Sequence, residues 1–178
     1  MLTYTLIAMG DLAGARAMNE RVLDISPGSA AGQWNRCHLD VLEGNRSGAL
    51  AHCEELKVEY AQMFWRAITA GEWGAPAEAE QALAAFLAWA GEKYPYSVAS
   101  IYASRGDADR AFKWLDRAYD QQVGLSEVTS DPFFRKVESD PRFKELLRKM
   151  KLPLASTSPF GTVPSGASEP DPAHEAIR

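Results

Sequence analysis

Apolar residues return along this chain every three to four positions, the spacing of one helix face. Broken at its turn residues, the pattern predicts helices at about 2–9, 12–25, 29–43, 46–57, 59–72, 76–91, 95–105 and 108–122. A connector follows, Gln121 to Ser130, read as QQVGLSEVTS. Asp131-Pro132 and Asp140-Pro141 each supply an N-cap and a first-turn proline, so short helices are expected to about 138 and about 150. Phe133, Phe134, Val137, Phe143, Leu146, Leu147 and Met150 give this end an apolar side, suited to capping the helices before it. After Leu152 the chain turns to Pro, Ser and Gly with few large apolar residues, and 153–178 is expected to be a disordered tail. Phe160 is its only aromatic residue and His174 has nothing to organise it.

The helix breaks repeat. Gly-x4-Ala occurs at Gly10–Ala15, Gly44–Ala49, Gly74–Ala79 and Gly106–Ala111, with glycines 34, 30 and 32 residues apart. A glycine can end a helix in the left-handed conformation, and Asp11, Asn45 and Asp107 are then good N-caps for the next one. In the third unit Ala75-Pro76 takes that place. The alanine lets two helices approach closely, and Val22, Leu56, Phe86 and Ala118 continue the apolar side. Arg105-Gly106-Asp107, a triplet known as an adhesion ligand, is therefore expected to be a helix end, a turn and a cap.

A period near 34 residues signals stacked helical pairs, and over roughly residues 1–122 the pattern resembles the tetratricopeptide repeat. The fourth unit carries it best: Val98 and Ala99 at the adjacent large and small positions, Tyr102 at the aromatic one, then Gly106, Ala111, Leu115 and Ala118. Pro27 closes the first unit and Cys37 takes the small position of the second, while the third puts Arg66 where a large apolar residue is expected. The resemblance implies an all-α, right-handed solenoid of about four repeats over 1–122, a connector with capping helices over 123–152, and the tail. It also implies a concave groove lined by one side of each first helix: Tyr4 and Ile7, then Trp34, His38 and Val41, then Phe64 and Ile68, then Tyr96 and Ser100. Trp34 and His38 stand where relatives that grip a peptide's terminal carboxylate have Lys and Asn. An aromatic groove suits an apolar or amphipathic segment better. The expected function is non-catalytic binding of a protein or peptide. The last stretch, from Ser130-Asp131-Pro132-Phe133 to Pro153, resembles the closing segment of repeat regions in large bacterial proteins that carry an adenylate-cyclase-type or winged-helix domain. This gives a second expectation, a regulatory segment detached from such an effector.

Composition narrows the chemistry. With 178 residues and a net charge of −5, a nucleic-acid backbone is not the expected partner. No run of eighteen apolar residues suggests a membrane span, and the N-terminus lacks a secretory pattern, so a cytoplasmic protein is expected. Cys37 and Cys53 are expected to be reduced, buried packing residues. Cys37-His38 and His52-Cys53 do not make a metal set, because helix neighbours point about 100° apart and zinc spacings are absent. No phosphate loop, nucleophile elbow or metalloprotease motif occurs, and Glu54-Glu55 and Glu78 with Glu80 read as solvated faces, so neither catalytic residues nor a cofactor are expected. Arg142, Lys144, Arg148, Lys149 and Lys151 are expected on a solvated outer face. Leu2, Tyr4, Leu6, Ile7, Ala8 and Met9 cover most of the first helix, which is expected to start inside a repeat. An apolar face left open there would favour a homodimer through the N-terminal pair or an upstream partner.

Overall fold

The computed structural model describes residues 2–152, and every regular element among them is helical. In chain order these are α1 (Leu2–Met9), α2 (Leu12–Ile25), α3 (Ala30–Leu42), α4 (Arg46–Glu54), α5 (Glu59–Trp73), α6 (Pro76–Ala90), α7 (Pro95–Ser104) and α8 (Ala108–Gln121). Two 3-10 turns, Leu125–Glu127 and Pro132–Lys136, lead to α9 (Pro141–Lys149). The expected tail, with Phe160 and His174, lies outside the described residues. α4 stops at Glu54, short of the expected 57: the Leu56 carbonyl accepts from Gln62 Nε2 as the chain turns, and the Leu56 side chain drops into the core.

Three of the four glycine breaks adopt one geometry. Gly10, Gly44 and Gly106 have φ of 81°, 72° and 73°, and Asp11, Asn45 and Asp107 accept from the backbone N–H three residues on. Gly74 departs from the expectation, with φ −79° and ψ 167°. Ala75 is the N-cap there, one residue after the glycine as in the other units but without a side-chain cap bond, and the proline after it holds Ala75 extended. The same unit shifts its packing. Ala15, Ala49 and Ala111 are fully buried, whereas α6 buries Ala82, Leu83 and Phe86 rather than Ala79. Likewise α5 buries Trp65 completely and leaves Arg66 exposed.

Consecutive helices pack as pairs, α1–α2, α3–α4, α5–α6 and α7–α8, and each pair touches the next. The first helices also touch in series, α1–α3, α3–α5 and α5–α7, and no two second helices pack as closely among the described residues. The main apolar core runs from Cys37 on α3 to Leu147 on α9, with Trp65, Phe86 and Phe134 its largest fully buried side chains. Ile7, Ala15 and Leu39 form a smaller cluster, with Leu6 packed against it. On α1 only Thr3 and Ile7 are buried, while Leu2 and Met9 are exposed.

Polar side chains fasten the pairs. Asp40 is fully buried on α3; its Oδ1 accepts from Arg16 Nη2 at 2.9 Å and Asn45 Nδ2 at 3.0 Å, and its Oδ2 lies 2.6 Å from His52 Nδ1. One carboxylate thus ties α2, α3 and α4 together. Arg105, the first residue of the adhesion-like triplet, runs back between α5 and α6 and donates to the Ala67 and Ala79 carbonyls. Asp107 caps α8, so the triplet is committed to the turn.

The cysteines correct the sequence reading. Cys37 and Cys53 are buried as expected, but they are joined by a disulfide with Cα atoms 5.1 Å apart. Two small packing positions facing each other on α3 and α4 fall within disulfide reach; the expectation of reduced thiols came from compartment alone.

Candidate functional site: the first-helix face and the strap across it

Helical spacing sets the floor of this face. Residues four apart share a side, so α3 presents Trp34 with His38, α5 presents Tyr60 with Phe64 and Ile68, and α7 presents Tyr96 with Ser100. Trp34 lies over three rings: Tyr60 at 6.0 Å and Phe64 at 5.6 Å, both stacked, and Trp65 edge-on at 5.0 Å. Tyr60 continues the file to Tyr94 at 4.8 Å and shares a 2.8 Å hydrogen bond with Ser97 on α7. Ile7, His38, Phe64, Ile68 and Ser100 are buried; Tyr4, Trp34, Val41 and Tyr96 are half-buried.

Much of that burial comes from the chain itself. After α8 the backbone turns through Gln122 (φ 55°) and Gly124 (φ 73°) and crosses the first-helix face as a strap, residues 122–138. Gly124 passes so close to α7 that a Cβ added there would sit 2.7 Å from Tyr96 Cβ. Asp131, 8 % exposed, is the strap's polar anchor. Its Oδ2 accepts from Tyr96 Oη and from Ser100 Oγ, both at 3.0 Å, and its Oδ1 accepts from Phe133 N at 2.9 Å. Burial pushes the Asp131 carboxyl up from its ordinary value, and these three donors pull it back in part. Burial beside the same carboxylate holds the Tyr96 hydroxyl well above its usual range.

Phe133 is the apolar anchor. Its ring centroid lies 5.2 Å from His38, 6.0 Å from Trp65 and 6.4 Å from Phe64, so one side chain spans α3 and α5. Phe134 packs on Tyr96 at 5.7 Å. At the margins, Tyr4 Oη donates to Glu127 Oε2 at 3.3 Å and Lys136 Nζ to Glu72 Oε2 at 3.4 Å, both exposed. His38 is enclosed without a hydrogen-bond partner at Nδ1 or Nε2, and Trp65 Nε1 is also unpaired. Burial alone lowers the His38 pKa to about 4, so the ring is neutral near pH 7.

The expected pair of capping helices therefore divides its work. α9 packs on α8: Phe143, Leu146 and Leu147 are buried, Arg142 lies 4.8 Å over the Phe112 ring, and Lys149 pairs with Asp116 at 3.2 Å. The segment around Phe133 instead crosses α3, α5 and α7. One part of the face stays open: a cavity of about 490 Å³ at the α3 and α5 N-terminal ends, walled by Trp34, Leu56, Val58, Tyr60 and Ala61 with Lys57 at its edge. The face thus brings together Trp34, His38 and Phe64, sets Tyr96 and Ser100 on the strap's carboxylate, and leaves Val41 and Ile68 without a polar role. Sequence reasoning missed Tyr60, Trp65, Val58 and Asp131. The signal for Asp131 was present in Gly124 and in Phe133-Phe134, adjacent rings that one helix face cannot both present.

Among the described residues no three His, Cys, Asp or Glu side chains are grouped to hold a metal, and no helix is long and apolar enough to cross a membrane. Comparison with family models, with curated proteins and with solved structures finds no match to this chain.

Proposed function

We propose that the chain is a non-catalytic protein-binding module of the tetratricopeptide-repeat kind, its helix pairs stacked as a solenoid. It takes a peptide or partner helix against the first-helix face. The observation that carries this is the open apolar cavity beside Trp34 and Tyr60. Its size falls in the range of side-chain and ligand sites, its walls are aromatic and aliphatic, and Val58 in its wall is 53 % exposed. Rigid aromatic rings give large contact area at small entropic cost, which suits an anchor side chain from a partner.

The test is selection of peptides from a random library against the full chain, followed by titration. The expected affinity is on the order of micromolar, about −8 kcal/mol. Val58→Asp puts a charge in the cavity wall at an exposed position, so it should spare the fold and weaken the selected peptides more than about tenfold, or roughly 1.4 kcal/mol. Selected peptides that bind the folded Val58→Asp chain unchanged would remove this face as the site.

A further inference from the structure

The strap occupies part of the first-helix face. Its polar hold is one carboxylate received by two hydroxyls, Tyr96 and Ser100; a ring two positions later lies against His38, Phe64 and Trp65, and Val128, Phe134 and Val137 are buried in the same core. Two hydrogen bonds at its margins, Tyr4 to Glu127 and Lys136 to Glu72, are exposed and long, and such contacts contribute little.

The strap is also an imperfect filler. Three buried polar atoms beside Phe133 have no partner, His38 Nδ1 and Nε2 and Trp65 Nε1, although such atoms are nearly always paired in a settled core. Asp131 is buried, and among the described residues no cation pairs with its oxygens. The entry to the strap passes through Gln122, a non-glycine residue in the left-handed region, next to Gly124.

We propose that the strap stands in for an external partner, and that the Tyr96–Ser100 and His38–Phe64–Trp65 sites bind a peptide carrying aspartate followed two residues later by an aromatic side chain. This rests on the binding-module reading and names its ligand chemistry. The partner must compete with a tethered copy of its own motif. A short tether gives an effective concentration of about millimolar, so the resting chain binds such a peptide weakly and a chain with a loosened strap binds it well.

The probe is a fluorescein-labelled peptide with the sequence of residues 130–138, Ser-Asp-Pro-Phe-Phe-Arg-Lys-Val-Glu, titrated by anisotropy into the full chain. Phe133→Ala in the chain is expected to tighten binding at least about tenfold over the unsubstituted chain. Changing the peptide's Asp to Asn or its first Phe to Ala should remove that gain, as should Tyr96→Phe with Ser100→Ala in the protein. A Phe133→Ala chain that keeps its helical circular dichroism yet binds the peptide no better overturns the proposal. So does a chain whose straps exchange between two copies, seen as dimers that excess peptide does not dissolve. If Phe133→Ala does not fold, hydrogen exchange on the unsubstituted chain decides. Excess peptide should speed exchange at the Phe134 and Val137 amides while α5 and α7 stay protected, and unchanged strap protection overturns the proposal. Library peptides that bind in a Val58-dependent way while this peptide fails would overturn the ligand chemistry and leave the binding module standing.

Discussion

His38 concentrates the cost of covering this face. An imidazole with no partner at either nitrogen forfeits the hydrogen bonds it makes in water, a penalty of about 1–3 kcal/mol. His38→Leu should therefore leave stability at pH 7 unchanged or raise it by about 1 kcal/mol, read as a rise in the urea midpoint; a loss above about 1 kcal/mol would mean that the ring has a partner. The ring also sets a pH dependence. Its folded pKa of about 4 lies below the ordinary 6.5, so the unfolded chain binds the proton first. The stability this neutral ring permits is complete above pH 6.5 and falls as pH drops toward 4, by roughly 3 kcal/mol in all. Asp131 acts with the opposite sign: its raised pKa means that the folded chain takes up a proton first, so acid relieves part of its burial cost above its ordinary 3.8. Urea unfolding between pH 7 and 4.5 should show the loss, and His38→Leu should flatten it; an unchanged slope in that variant would place the titration elsewhere.

Among the elements, the turns were the most legible. Asp11, Asn45 and Asp107 after a left-handed glycine fix three helix starts within one residue, because cap chemistry is local. At the third break Pro76 opens α6 as expected, but Gly74 is extended rather than left-handed. The glycines now separate into kinds. Gly44 has open space around it and Gly124 abuts Tyr96 at nearly the same φ. Gly44→Ala should cost about 1 kcal/mol of backbone strain, and Gly124→Ala clearly more, because Tyr96 and its bond to Asp131 must move. Equal urea midpoints for the two variants would mean that the strap does not pass Tyr96 closely. The Cys37–Cys53 disulfide joins α3 to α4 across 16 residues, a loop whose closure stabilises by about 3 kcal/mol in the chain-entropy account. Reduction should lower the unfolding free energy by that order without loss of helix; titration of two free thiols in the untreated, folded protein would contradict the bond.

Across the whole molecule, the order of helices was readable because each depends on its own periodicity and caps. The course of the strap was not, because it depends on contacts between residues far apart in the chain: Asp131 with Ser100, Phe133 with His38, Glu127 with Tyr4. Nothing local distinguishes an Asp-Pro helix start that caps α8 from one that lies across α3, α5 and α7. The resemblance to the tetratricopeptide repeat placed Trp34, His38, Phe64 and Tyr96 on one face by register. It could not show that part of that face is already taken while the part beside Trp34 and Tyr60 is open. The division of the face between strap and cavity is the centre of this account, and it has a direct measurement: aromatic nuclear Overhauser effects from Phe133 in the folded chain. Cross-peaks from the Phe133 ring to the rings of His38 and Trp65 are predicted; a Phe133 ring that shows cross-peaks only to α8 and α9 would contradict it.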